Sequence, residues 1–127
     1  SKNWADSKTR MYKLPKTPGQ YVLSPRSELD ADGLVTGADY NSNLKKLVLS
    51  GYKDHVPFIF LINDFDGQSV SGKETYRFNL FKMKGAQTEG ICWSTGETVL
   101  FSTEQTKEFV QQVFELDIQK VFKIMGK

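Results

Sequence analysis

A chain of 127 residues with 39% hydrophobic and 13% aromatic side chains has enough material for one packed core, which excludes a wholly disordered segment and a disulfide-dependent mini-protein. The single cysteine, Cys92, cannot close an internal disulfide. The longest apolar run, Val56 to Ile62, is too short to cross a bilayer and is not part of a signal-peptide pattern. These features predict a domain with no membrane association, cytoplasmic or, in a eukaryotic or viral setting, nuclear. The net charge of +2 is unevenly spread: residues 1–26 carry six basic side chains against Asp6, residues 27–70 carry seven carboxylates against three lysines, and the rest is nearly balanced.

In chain order, residues 1–19 are polar and basic and contain Pro15, Pro18 and Gly19. They read as a flexible arm whose cations Lys8, Arg10, Lys13 and Lys16 are available to an anionic partner. One domain is expected over residues 20–127. Gln20 to Ser24 fits a short strand stopped by Pro25, and Ser27 to Asp39 fits an acidic surface loop. From Asp39 to Ser50 two readings stand side by side, a short helix capped by Asp39 or a strand through Leu47 to Leu49.

Val56 to Ile62 has the composition of a buried strand. Glu74 to Met83 alternates, with Tyr76, Phe78 and Leu80 on one side and Arg77, Asn79, Phe81 and Met83 on the other. Gly90 to Trp93 and Thr98 to Phe101 form the arms of a hairpin around residues 94–97. No internal repeat is visible. Ser102 and Gln105 have the spacing of a capping box, and Val110, Phe114, Ile118, Val121 and Met125 follow at helical spacing, widened by Phe109, Val113 and Phe122. Lys123 and Gly126 suit the end of that helix. The expected fold class is therefore α+β, a small antiparallel meander packed against a long C-terminal amphipathic helix. Leu116 falls outside the helical stripe, so the helix either bends or buries a second side against a partner subunit, and a homodimer is expected.

Motifs for catalysis and cofactors are weak. Gly67 to Glu74 has the spacing of a phosphate-binding loop, but Glu74 stands where a magnesium-binding hydroxyl belongs, and the following residues alternate like a strand. Glu28 to Asp39 approximates a calcium loop, with Gly33 at the turn, but Glu28 and Asp39 are the wrong residues at its two ends, and a solvated acidic loop is the preferred reading. His55 beside Asp54 is read as a structural strand-edge residue, and one histidine with one cysteine cannot build a zinc cage. No catalytic set, metal or cofactor is expected, although Asp54, Asp64 and Asp66 leave carboxylate chemistry open.

The remaining pattern is basic residues interleaved with aromatics. Arg77, Phe81, Lys82 and Lys84, together with the arm cations, predict a non-catalytic domain that binds single-stranded DNA or RNA by stacking and phosphate contacts. The alternative is a protein-interaction or inhibitor module acting through the C-terminal helix. Strands closed by a terminal helix resemble, in outline only, the single-stranded-DNA-binding coactivator type and the pleckstrin-homology type, and no motif selects either.

Overall fold

The computed structural model describes residues 5–127; Lys2 and the rest of the first four residues of the predicted arm lie outside the described residues. The strands are β1 (Lys8–Met11), β2 (Ser27–Asp30), β3 (Leu34–Asn41), β4 (Lys46–Lys53), β5 (Val56–Ile62), β6 (Thr75–Asn79), β7 (Gln87–Trp93), β8 (Thr98–Glu104) and β9 (Gln112–Asp117). A seven-residue helix, α1 (Ile118–Ile124), ends the fold. The strands form three antiparallel sheets, β1-β2, β3-β4-β5-β6 and β7-β8-β9, each in chain order.

The three sheets stack as layers, and the composition of β5 explains why. Its residues are apolar on both sides because both sides are covered. Phe58, Phe60 and Ile62 pack with Leu47, Leu49, Phe65 and Val70 beneath the β1-β2 layer, which contributes Met11, Leu29 and the adjoining Ala31. Ile59 and Leu61 face the opposite way and pack with Val48 and Phe78 against Ile91, Val99 and Phe101 of the β7–β9 layer and Ile118 of α1. A strand buried on both faces loses the alternation that a half-buried strand keeps.

The expected α+β fold with a long C-terminal helix is overturned. Ser102 lies inside β8 and Phe114 and Leu116 inside β9; the apolar residues there alternate, with Phe114 and Leu116 turned toward the layered core. Gln105 caps no helix; its side-chain oxygen accepts from the Gln111 amide at 3.3 Å. The chain reverses instead at Thr106, whose hydroxyl accepts from the Glu108 and Phe109 amides at 3.2 and 2.9 Å. Helix begins only at Ile118, where the Asp117 carboxylate accepts from the Lys120 amide at 3.0 Å. Val121 and Phe122 then close the end of the core, with the Phe122 ring edge-on to Tyr76 and Phe78 at 4.8 and 5.8 Å. Leu116 fell outside the helical stripe because it belongs to a strand.

Other expectations divide. The strand over Val56 to Ile62 and the hairpin around residues 94–97 are present. The two readings of residues 39–50 resolve to strand on both sides of a turn. The predicted strand over Gln20 to Ser24 is part of an irregular excursion, and the acidic loop is β2 and β3 joined by a tight turn. The alternating segment from Glu74 stops at Asn79, after which Phe81–Met83 forms a single 3-10 turn.

The layers also reveal an internal repeat. In both β3 and β7 the pairing slips by a bulge beside a glycine, between Val35 and Gly37 and between Thr88 and Ile91, which enclose Gly90. The following strands then carry Leu47-Val48-Leu49-Ser50 and Val99-Leu100-Phe101-Ser102 in matching places. In each, the first and third residues face the preceding layer, and the second and fourth face away from it. Consecutive up-and-down sheets stacked in this manner are the building principle of radially repeating β architectures.

Candidate interaction surface

The residues predicted to hold nucleic acid are not assembled on one face. Lys8 and Arg10 lie on β1 and pair with Glu28 at 2.9 and 3.0 Å, and Arg10 also reaches Asp6 at 3.3 Å. The Lys8 partner, through its hydrogen bond and charge, holds the Glu28 carboxyl below its ordinary range. Lys13 and Lys16 are exposed on the excursion between β1 and β2. Arg77 is half-buried: its guanidinium sits over the Phe58 ring, 3.9 Å from the centroid, and its Nη1 donates to the backbone oxygens of Ala31 and Asp32. Burial lowers its pKa and the Asp32 carboxylate opposes the shift, but a guanidinium remains charged throughout the physiological range. Arg77 thereby fastens the β2–β3 turn to the central sheet. Phe81 is 72% exposed, with the exposed Lys82 and Lys84 beside it, and it shares a groove of about 390 Å³ with Arg77, Leu80 and Leu116.

The motifs considered for metals and phosphates are taken up locally. Across Glu28 to Asp39, Glu28 pairs with β1, Asp30 accepts from the Ser7 hydroxyl at 2.6 Å, and Asp39 accepts from the Trp93 amide at 2.8 Å. Those carboxylates therefore point to different neighbours along two strands. Among the described residues no group of three His, Cys, Asp or Glu side chains is placed to hold a metal. In the segment from Gly67 to Glu74, Asp66 caps the turn through the Gln68 and Ser69 amides, while Glu74 accepts from Asn63 at 3.0 Å. Asp54 and His55 occupy the two positive-φ positions of the β4–β5 hairpin turn, the conformation such a turn demands. No helix among the described residues is long and apolar enough to cross a membrane.

Several concave features occur among the described residues, and two of them lie on faces of the stacked sheets. A cavity of about 290 Å³ lies between the β1-β2 layer and the central sheet, lined mainly by Met11, Leu29, Val35, Leu47, Leu49 and Ile62. Thr9, Arg10 and Thr36 also line it, and the Thr36 hydroxyl lies within reach of those of Ser50 and Thr88. The second is a shallow groove of about 380 Å³ on the outer face of β7–β9, where Gly90, Cys92, Leu100, Ser102 and Val113 lie together. Cross-strand register places Cys92, Leu100 and Glu115 in one row and Ser102 beside Val113 in the next. Val113 is 70% exposed and Cys92 is an exposed free thiol.

This face was not among the residues read from the sequence. The internal repeat is the signal that identifies it. Leu100 and Ser102 stand where Val48 and Ser50 stand in the central sheet, both of which are 0% exposed beneath the next layer, while Val113 and Glu115 correspond to Ile59 and Leu61 by register. Comparison with family models, curated proteins and solved structures finds no match for the chain.

Proposed function

We propose that this chain is a non-catalytic protein-interaction module whose binding surface is the outer face of β7–β9. The observation that carries the reading is the contrast between equivalent positions: the central sheet has both faces covered, whereas Leu100 and Val113, at the sites where Val48 and Ile59 are sealed, line an open apolar groove beside Cys92. An apolar groove with a polar rim, here Glu104, Glu115 and Asp117, is the usual anatomy of a protein contact. The C-terminal helix, at seven residues with Ile118, Val121 and Phe122 turned inward, is a plug for the core.

Selection of binders from a random peptide library tests the assignment. Peptides that engage this surface are expected to slow alkylation of Cys92 and to lose affinity for the Val113→Lys chain. Binders that leave Cys92 reactivity unchanged would contradict it.

A second reading rests on Phe81, an exposed ring flanked by Lys82 and Lys84. Such a turn can stack one base of single-stranded DNA or RNA and meet its phosphates. Labelled oligonucleotides titrated at two salt concentrations decide it: binding that weakens with salt and is reduced by Phe81→Ala supports this reading, and absence of binding at low salt ends it.

A further inference from the structure

Resting on the protein-binding reading, we infer that the outer face of β7–β9 receives a second copy of this chain, which presents its β1-β2 layer and the excursion of residues 12–26. Two independent features of the molecule point to this occupant.

The first is the continuity of the layers. The face of the central sheet equivalent to this one is covered by another β layer, and the chain stacks its layers in the order β1-β2, β3–β6, β7–β9. A second copy placed on β7–β9 with its β1-β2 layer foremost continues the same order, and because the outward side chains Lys8, Arg10 and Glu28 are paired with one another, the apolar cover comes from the adjoining residues 12–26. The open face and the β1-β2 layer lie on opposite sides of the central sheet, so one chain cannot bring them together.

The second is charge. Residues 12–26 contain Lys13, Lys16 and Arg26 and no carboxylate, with Tyr12, Leu14, Tyr21, Val22 and Leu23 all exposed among them. Val22 is fully exposed, at 102%. The segment is held in shape by the Tyr21 hydroxyl, which donates to the Thr17 carbonyl at 2.6 Å, and by Arg26, which donates to Gln68 at 3.1 Å. Opposite to it in character, the strand residues on the outer face of β8 and β9 include the carboxylates Glu104 and Glu115, and Asp117, which is paired with Lys120 of α1 at 3.7 Å. A basic, apolar ribbon therefore meets an acidic, apolar groove. Because the two surfaces differ, the contact is head-to-tail: it leaves one ribbon and one groove unfilled in every dimer and so extends to a ring or a chain of copies.

Charge reversal followed by sedimentation tests the pairing. Lys13→Glu with Lys16→Glu on the ribbon, or Glu104→Lys with Glu115→Lys on the face, should each weaken self-association about tenfold or more, since like charges then meet across the contact. An equimolar mixture of the two reversed chains should associate again, because each offers a surface that complements the other. Circular dichroism confirms that each reversed chain is folded. In parallel, Val22→Cys chains oxidised by dissolved oxygen with a copper catalyst should yield disulfide-linked oligomers larger than a dimer, each bond joining the introduced ribbon thiol of one copy to Cys92 of the next. Association indifferent to both reversals, a mixture that stays monomeric, or a product consisting only of Cys92 to Cys92 dimers overturns the pairing. A chain that is monomeric at every concentration overturns it too. That outcome leaves the protein-binding reading standing if selected peptides still shield Cys92, and both fall if they do not.

Discussion

The central sheet and the β7–β9 sheet are built to one plan and differ in what covers them. In the first, β5 is apolar on both faces and lies between two layers; in the second, β9 keeps Phe114 and Leu116 toward the core and shows Val113 and Glu115 to solvent. The difference is carried by a few side chains. Where the central sheet has Leu61 the outer sheet has Glu115, and where it has Ile59 the outer sheet has Val113. The outer face thus keeps part of the apolar character of a buried layer while remaining compatible with water, which is the compromise expected of a surface that is covered only part of the time.

The sharpest way to break this comparison is to make the same change at equivalent places. Leu61→Ala opens a cavity in a fully buried position and is expected to cost about 2–5 kcal/mol, whereas Glu115→Ala should alter stability by no more than about 0.5 kcal/mol. Denaturant unfolding of both chains measures the contrast, and equal losses would mean that the outer face is as fully packed as the central one.

A smaller effect is expected at Arg77. Arg77→Met removes the donor that holds the Ala31 and Asp32 carbonyls and the cation above Phe58, with an expected cost of about 1.5–3 kcal/mol. Hydrogen exchange should speed up first in β1 and β2, which this contact anchors, while β7–β9 keeps its protection. Loss of oligonucleotide binding with unchanged stability would instead assign Arg77 to a nucleic-acid contact.

The smallest effect separates the layers by pH. Lys8 holds Glu28, and Ser7 together with the Asp32 amide holds Asp30, below their ordinary values of 4.5 and 3.8. A carboxylate with a depressed folded-state pKa contributes stability that is complete above its unfolded value and is lost as pH falls through the folded value. The β1-β2 layer should therefore loosen as the pH drops below about 4, detectable as faster amide exchange in β1 and β2 relative to β8. Uniform loosening of all three layers would show that these surface pairs do not set the order.

The parts of the fold that were legible in the sequence are those whose signal is local. Val56 to Ile62 is too short and apolar for anything but a buried strand, and residues 94–97 sit between two strand-forming runs. The C-terminal region misled because two periods lie end to end. Phe114, Leu116 and Ile118 alternate, then Ile118, Val121, Phe122 and Met125 follow at helical spacing, and Val110 and Phe114 happen to fall four apart. A window covering both counts the matches to the longer pattern. The repeat was hidden for a different reason: its two copies share a glycine bulge and one short run ending in serine, and the side chains that distinguish covered from uncovered faces are the ones that differ. The open face became recognisable only when register placed Cys92, Leu100 and Val113 together, because they come from three separate strands. The predicted cations were readable as residues but not as partners, since the pairing of Lys8 and Arg10 with Glu28 depends on a long hairpin, with Arg10 and Glu28 separated by 18 positions.

The rate of Cys92 alkylation as a function of chain concentration tests the central claim most directly, because this thiol lies in the groove and needs no added label. The rate should fall as association proceeds, in step with the associated fraction measured by sedimentation, and should stay constant in the Val113→Lys chain. A thiol that reacts at the same rate in monomer and assembly would contradict the account and place the contact elsewhere.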